Sequence, residues 1–164
     1  MMPELSSSAV ICLGVTTLIY VFLLKMRTIS YSFALVTLPG TFFHELMHFL
    51  LALLLRGGPS SFSIFPKKTQ NGIVLGSVTL TRLNIINAAP IAMAPLLLAP
   101  MAYWGILKGS GYLLESYGIA AFTLFCFINA NVFLACIPSM EDFKVSFTSL
   151  VFYFLLFLWI FNYT

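Results

Sequence analysis

Charged side chains are scarce in this sequence of 164 residues. Asp, Glu, Lys and Arg make up 8% of the chain, with five acids and eight bases, whereas 60% of the residues are hydrophobic. A water-soluble domain could not cover so much apolar surface, so we expect the chain to lie in lipid. The few basic residues form no patch interleaved with aromatic residues, which argues against a nucleic-acid partner.

Cysteine is also rare, with three residues in the chain. Cys12, Cys126 and Cys136 all lie in apolar segments. Cys126 and Cys136 fall on one predicted helix, too far apart to bond to each other if that helix is continuous. We therefore expect buried free thiols rather than disulfides.

Long apolar windows divide the chain into about five predicted transmembrane helices, since crossing the hydrocarbon core takes ~20 residues. The predicted spans are 9–24, 31–55, 84–107, 116–137 and 145–161. The predicted fold is an all-α polytopic membrane protein that forms a single membrane-embedded domain, 1–164.

The segment between the second and third predicted spans has a different pattern. Gly57-Gly58-Pro59 ends a helix, and two alternating stretches, 61–65 and 73–81, then flank a turn at Asn71-Gly72. Alternation around Asn-Gly predicts a β-hairpin, which we expect to be small and membrane-associated. It serves either as a surface connector or as an exposed strand edge to which an extended peptide can pair.

The positions of Lys and Arg indicate the orientation in the membrane. A cytoplasmic N-terminus places more of them on the cytoplasmic side than outside, as the positive-inside rule requires. The cytoplasmic set is then Arg56, Lys67, Lys68, Arg82 and Lys144, and the outer set is Lys25, Arg27 and Lys108. We expect a multi-pass protein whose N-terminus and hairpin are cytoplasmic.

The only two histidines of the chain, His44 and His48, stand four residues apart on the second predicted span. At this spacing both imidazoles face one side of a helix, and both can reach one zinc ion at ~2.0–2.1 Å. Glu45 is then placed to accept a proton from water activated by the metal. The alternative is that the motif is a chance match of buried polar residues. Such a match is unfavourable in lipid, because an ionisable side chain in the middle of a transmembrane helix costs ~2.5–3.5 kcal/mol.

A catalytic zinc ion needs a third protein ligand, and carboxylates are few. Glu4 precedes the first predicted span, and Glu115 lies at the start of the fourth, on the predicted outer side. Glu141 and Asp142 remain, on the cytoplasmic side where the histidine helix also ends. The residues alone do not decide which of these two carboxylates is the third ligand. Cys136 is a weaker candidate, because thiolates suit closed structural sites better.

These motifs resemble the site-2 protease family of intramembrane zinc metalloproteases. The family combines HExxH in one transmembrane helix with an Asn-x-x-Pro…Leu-Asp-Gly region two helices later. Here His44-Glu45-Leu46-Met47-His48 matches fully, and the segment 129–142 keeps Asn, Pro and Asp in that order. The segment lacks Leu-Asp-Gly, its spacing is longer, and Phe143 stands where the family has Gly.

The resemblance covers about 31–144 and implies a core there, with one extra span at each end. It also implies a zinc metalloendopeptidase that hydrolyses peptide bonds in or near transmembrane segments of membrane proteins. The implied ligands of one Zn²⁺ per chain are His44, His48 and Asp142. Glu45 would be the catalytic base, and Asn131 or Asn129 would hold the substrate. The expected partners are a transmembrane protein or peptide substrate and the lipid bilayer, and a regulatory membrane partner or a second copy of the chain is left open.

Two other functions stay open on the sequence. The altered Asp region fits a catalytically inactive member of the same fold that binds zinc or a transmembrane partner. A small ion or proton transporter could instead use His44, Glu45 and Asp142 as a relay, although no repeated halves are present.

The depth of the histidines adds one structural expectation. His48 lies eight residues before Arg56, about 12 Å of helix rise, so a metal there sits below the cytoplasmic surface. For Asp142 to reach it, the stretch from Pro138 to Phe143 must dip inward as irregular backbone, which protein or water must line. We therefore expect a polar funnel that opens to the cytoplasmic side.

Overall fold

The computed structural model describes residues 6–26, 31–69 and 72–163. Within these ranges the chain is mostly helical, with two small antiparallel sheets. The helices are α1 (Ser7–Lys25), α2 (Tyr31–Val36), α3 (Leu38–Leu54), α4 (Ala88–Ala92), α5 (Leu98–Ala135) and α6 (Met140–Tyr163). The strands are β1 (Pro59–Ser63), β2 (Lys67–Thr69), β3 (Gly72–Val74) and β4 (Ser77–Leu80), and a 3₁₀ turn covers Ala94–Leu97.

Three helical stretches among the described residues are long and apolar enough to cross a membrane. They are Ser7–Lys25, Ala94–Ala135 and Met140–Asn162, and the shorter Leu38–Leu54 is apolar as well. The five separate spans expected from hydropathy are therefore not all present as long helices. The predicted span 31–55 is divided between α2 and α3, and in the predicted span 84–107 continuous helix begins only at Leu98.

Proline accounts for much of this difference. Pro39 lies in the first turn of α3, where its missing N–H is not needed, and proline disfavours helical backbone in the residue before it. Pro90 lies in the short α4, and Pro95 is the second residue of the 3₁₀ turn. Pro100 falls in the first turn of α5, a position that tolerates proline. An apolar segment can therefore have the hydropathy of one transmembrane span although its helix is interrupted.

Helix α5 is bent back on itself at Gly118. This residue has φ 74° and ψ −172°, a backbone region that is essentially restricted to glycine. A Cβ atom on Gly109 would lie 3.6 Å from Cζ of Phe125, whereas along a straight helix the two residues would be roughly 24 Å apart. The helix therefore consists of two antiparallel arms, 98–117 and 119–135.

Helix α1 packs against both arms of α5. A buried cluster joins Cys12 to Ile106 of the first arm and to Phe122 and Cys126 of the second. All three cysteines of the chain are free, and the sulfur atoms of Cys12 and Cys126 lie 3.2 Å apart in this cluster. The expected free thiols are present, and the contact between two of them joins residues too distant in sequence to be predicted from a local pattern.

Helix α3 lies against the arms of α5 as well. Met47 packs with Leu98, Ala102 and Val132 in a second buried cluster. A Cβ atom at Gly40 would overlap the main-chain carbonyl of Asn131, so glycine at this position permits the close approach of the two helices. This contact fixes the helix that carries both histidines against the end of α5.

The predicted β-hairpin is present. Strand β1 pairs with β4 in antiparallel register, with Phe62 opposite Val78, and β2 pairs with β3, with Lys67 opposite Val74. The residue Asn71 of the predicted turn lies outside the described residues. The hairpin follows α3 directly and returns over it, so its second half, 74–80, lies close to the histidine helix.

Helix α6 is attached to the core by its inner face. Ser149 Oγ accepts a hydrogen bond from the Ala89 N–H at 3.0 Å, and the Tyr153 hydroxyl donates to the Ile86 carbonyl at 2.6 Å. Most of its large apolar side chains are exposed, as expected for a lipid-facing helix. These contacts fix the middle of α6 beside α4.

Candidate metal centre

The two histidines present their Nε2 atoms to the same point. His44 and His48 lie one turn apart on α3, and their Nε2 atoms are 3.1 Å apart. Nδ1 of His44 is 2.6 Å from the Ala135 carbonyl, and Nδ1 of His48 is 2.9 Å from the Ile91 carbonyl. Because a carbonyl can only accept, each Nδ1 carries a proton, and in the neutral imidazole each Nε2 then has the lone pair that could bind a metal.

Both carbonyls come from helix ends. Ala135 is the last residue of α5, and Ile91 lies in the last turn of α4. The last four carbonyls of a helix have no partner within that helix, so these two are free to orient the imidazoles. Hydrogen bonds of this kind fix the ring tautomer and raise the basicity of a histidine ligand.

Asp142 completes the cluster from the start of α6. Its Oδ1 lies 3.3 Å from Nε2 of His48, and its Oδ2 lies 3.5 Å from Nε2 of His44. Ligands bound to a tetrahedral zinc ion at ~2.0–2.1 Å are separated by about 3.3 Å. The three side chains predicted as ligands therefore form a group that could hold one metal ion.

Ser139 positions this carboxylate. Its backbone N–H and its hydroxyl both donate to Asp142 Oδ2 at 2.7 Å, and the Asp142 N–H donates back to the Ser139 hydroxyl at 3.2 Å. This reciprocal arrangement is a capping box, here with Asp as its acidic member, and it starts α6. This capping role of Ser139 was not among the predictions, although Ser-x-x-Asp before an apolar run is a recognisable signal. The non-helical stretch 136–139 carries Asp142 to the histidines.

The other candidate ligands lie elsewhere. Glu141 accepts a hydrogen bond from Lys144 at 2.6 Å, and its side chain is 77% exposed. The Cys136 thiol donates to the Phe133 carbonyl at 3.1 Å. Neither residue belongs to the group that could hold a metal, so the geometry selects Asp142 from the alternatives that the sequence left open.

Glu45 lies beside the histidines and is 8% exposed. Its carboxylate has no hydrogen-bond partner among the described residues. A Cβ atom on Gly76 would lie 2.6 Å from Cγ of Glu45 and 2.9 Å from its Oε1, so the hairpin passes directly over the carboxylate. Only glycine leaves room there, a requirement that no local sequence signal revealed.

A cavity of about 830 Å³ opens over the cluster. His44, Glu45, His48 and Asp142 line it, together with the hairpin segment 74–80. Strand β4 is paired with β1 on one side, and its opposite edge has no paired strand among the described residues. The cavity is much larger than an ion needs, and it is bordered by an open strand edge.

The two asparagines proposed to hold substrate lie apart from the large cavity. Nδ2 of Asn131 donates to the Phe127 carbonyl at 3.1 Å, and this residue lines a smaller adjoining cavity of about 110 Å³. Nδ2 of Asn129 donates to the Phe125 carbonyl at 2.9 Å, and Asn129 lines neither of these two cavities. The substrate-holding role of both residues stays a prediction.

The site belongs to a definable class: two histidines and an aspartate able to hold a metal, beside a buried glutamate, in a protein with helices able to cross a membrane. Comparison with known protein families, curated proteins and solved structures finds no match to this chain. The function must therefore be argued from the site itself.

Proposed function

We propose that this protein is an intramembrane zinc metalloendopeptidase of the site-2 protease type. The observation that carries the proposal is the meeting of His44, His48 and Asp142 at distances suited to one tetrahedral ion, with Glu45 buried beside them. Two imidazoles and one carboxylate are a ligand set of catalytic zinc sites, which keep a fourth position open.

The ligand set also favours zinc over other metals. Calcium and magnesium prefer sites built from oxygen ligands, and closed structural zinc sites are rich in thiolates. The described cluster contains two nitrogen ligands and no sulfur. Two histidines and one carboxylate also bind Fe(II) in oxygenases. Histidines four residues apart on one helix, with a glutamate next to the first, are instead the arrangement of zinc peptidases, so we propose one Zn²⁺ per chain.

The chemistry divides between the metal and Glu45. A bound Zn²⁺ supplies Lewis-acid chemistry that polarises a peptide carbonyl and activates water near neutral pH. Glu45 accepts a proton from the water molecule while the water oxygen attacks the carbonyl carbon. When the C–N bond breaks, Glu45 delivers that proton to the leaving amine. Its position under Gly76 keeps the carboxylate close to the hairpin, where the substrate backbone would lie.

The large cavity supports a peptide substrate. An extended segment can pair with the open edge of β4 through main-chain hydrogen bonds, a common mode of peptide recognition. The hairpin segment 74–80 lines the same cavity as Glu45 and the metal cluster, so a strand added there would run past the catalytic groups. A transmembrane substrate would have to unwind locally in order to pair in this way.

The same proposal includes the arrangement in the membrane. The two arms of α5 and the apolar α3, together with α1 and α6, would give five crossings. Helix α3 has 17 residues, about 26 Å of rise, which is slightly less than the ~30 Å hydrocarbon core. With a cytoplasmic N-terminus, the hairpin and the cavity would open to the cytoplasmic side, where water can enter.

The test uses the purified full-length chain in detergent micelles with a synthetic transmembrane peptide as substrate. Wild type is expected to hold about one zinc per chain and to cleave the peptide. Glu45→Gln should keep the zinc and reduce cleavage by about 10²- to 10⁴-fold, since it removes the proton-transfer group.

Glu115→Gln makes the same change far from the cluster and serves as the matched control. Undiminished cleavage by Glu45→Gln would refute the catalytic assignment. Zinc binding without hydrolysis of any peptide would favour the inactive zinc-binding alternative.

A further inference from the structure

We propose that Arg56 and Arg82 together bind the phosphate headgroup of one anionic phospholipid. The site lies where α3 ends and the chain returns from the hairpin, apart from the metal cluster. It is independent of the proposed peptidase function, because neither arginine lines the cavity over that cluster.

The main chain brings the two arginines together although they are distant in sequence. The Arg82 N–H donates to the Gly57 carbonyl at 3.0 Å, and Arg56 is the residue before Gly57. The buried Asn87 side chain holds the same junction, because its Nδ2 donates to the carbonyls of Leu55 and Arg82 at 3.3 and 3.0 Å. Both arginines therefore extend from neighbouring positions on a fixed backbone.

Arg56 has a backbone conformation that is unusual for arginine. Its φ is 55°, in the left-handed region that favours glycine. The Gly57 N–H donates to the Ala52 carbonyl at 2.7 Å, and the Arg56 N–H is 3.4 Å from the carbonyl oxygen of Leu53. These two bonds form a Schellman motif, whose left-handed residue is usually glycine. An arginine at this position indicates that its side chain has a function.

Both arginines lack an acidic partner. Neither guanidinium group forms an ion pair with another described residue. The stretch 46–114 contains no Asp or Glu, and Glu141 is already paired with Lys144 at 2.6 Å. Arginine binds phosphate through two parallel N–H donors, so two arginines without a counter-charge are complementary to an anionic phosphate group.

Exposed apolar side chains lie beside the arginines. Leu54 is 76% exposed and Ile86 is 62% exposed, and both Leu55 and Ile85 are exposed as well. Acyl chains can cover this surface while the arginine side chains extend to the phosphate, as long basic side chains do at the ends of membrane-spanning segments. A phospholipid supplies both the phosphate and the acyl chains, whereas a free phosphate ion would leave the apolar surface uncovered.

The experiment measures lipid binding to the purified full-length chain by native mass spectrometry from detergent micelles. The probes are phosphatidylglycerol, which is anionic, and phosphatidylcholine, which has the same phosphate group but no net charge. Wild type should bind one phosphatidylglycerol per chain about tenfold more tightly than phosphatidylcholine. Arg56→Gln and Arg82→Gln should each weaken phosphatidylglycerol binding about tenfold, as the loss of hydrogen bonds from a charged group allows.

Three variants serve as controls for charge. Lys67→Gln and Lys108→Gln each remove one positive charge elsewhere and should leave phosphatidylglycerol binding unchanged. Arg56→Lys keeps the charge at the end of α3 but lacks the planar guanidinium group. It should bind phosphatidylglycerol more weakly than wild type, whereas a role confined to the helix dipole predicts no change in lipid binding.

Arg56→Gly separates binding from folding. Glycine adopts φ 55° without strain, so the melting temperature should equal or exceed that of wild type while phosphatidylglycerol binding is weakened. If Arg56→Gly does not fold, the comparison of Arg82→Gln with Lys67→Gln provides the test.

Three outcomes would overturn the site. Wild type could bind the two lipids equally, or Lys67→Gln could weaken binding as much as the arginine variants, which would indicate attraction to the general surface charge. Inorganic phosphate could also bind as tightly as phosphatidylglycerol, which would make this a site for a free anion. None of these measurements involves peptide cleavage, so the site and the peptidase function stand or fall separately.

Discussion

The two sides of the site differ in how their side chains are held. On the metal side a hydrogen bond fixes the direction of each ligand: His44 and His48 donate to the carbonyls of Ala135 and Ile91, and Asp142 accepts from Ser139. On the cavity side, the carboxylate of Glu45 accepts no hydrogen bond from another described residue, and it lines the large cavity. The metal ligands are thus oriented before a metal binds, whereas Glu45 can form hydrogen bonds with water or a bound ligand.

The same contrast has an energetic side. A hydrogen bond within the fold contributes ~0.5–1.5 kcal/mol, whereas a buried group left without a partner costs ~1–3 kcal/mol. The metal side is therefore consistent with a stable scaffold, whereas the Glu45 carboxylate on the cavity side depends on water or substrate for its hydrogen bonds. Three substitutions test whether the two sides are separable in this way.

The largest effect is expected for Asp142→Ala, which removes a ligand from the metal side. Zinc content should fall from about one per chain to near zero, as measured by elemental analysis of the purified chain. Glu141→Ala is the matched control, because it removes the neighbouring carboxylate that pairs with Lys144 at the surface. If Glu141→Ala loses zinc and Asp142→Ala keeps it, Glu141 is the metal ligand and Asp142 is not.

A smaller effect on the metal side is expected for Ser139→Ala. Removing the hydroxyl leaves Asp142 without one of its orienting donors, and loss of such a partner weakens metal binding by about 10- to 100-fold. Competition with a chelator measures this change. Ser139→Thr keeps a capping hydroxyl and should restore most of the affinity. If Ser139→Ala binds zinc as tightly as wild type, the capping box does not position the ligand.

The smallest effect is expected for Gly76→Ala, on the cavity side. The added methyl group would press on Glu45, and overpacking of this kind costs ~1–3 kcal/mol. Cleavage should fall about tenfold while zinc content stays unchanged, since the metal ligands are not touched. Gly105→Ala, at a position with open space around it, should have little effect on either. Loss of zinc from Gly76→Ala would show that the two sides are coupled.

Part of the site could be predicted because helical spacing is a local property. The four-residue interval between His44 and His48 places both rings on one face, and this holds in the structure. The meeting with Asp142 followed from the small number of carboxylates and from the family resemblance. The β-hairpin also followed from local alternation around a turn.

The remaining features depend on contacts distant in sequence. Hydropathy measures apolar content and not backbone continuity, so it missed the break at Thr37 and the late start of α5 at Leu98. It also could not show that the arms of α5 fold together at Gly118. The position of Gly76 over Glu45 depends on how the hairpin returns over α3, which no local pattern encodes.

The source of the two carbonyls has a genetic consequence. The groups that orient His44 and His48 belong to the main chain of Ala135 and Ile91, so exchanging either side chain for another small apolar one leaves the oxygen in place. In a saturation mutagenesis screen for zinc retention, substitutions at the fully buried Ile91 should therefore act through packing, and not through loss of the oxygen that sets the direction of the ligand. Deletions that shift the end of α5 or α4 would expose their role, because such changes move the carbonyls themselves.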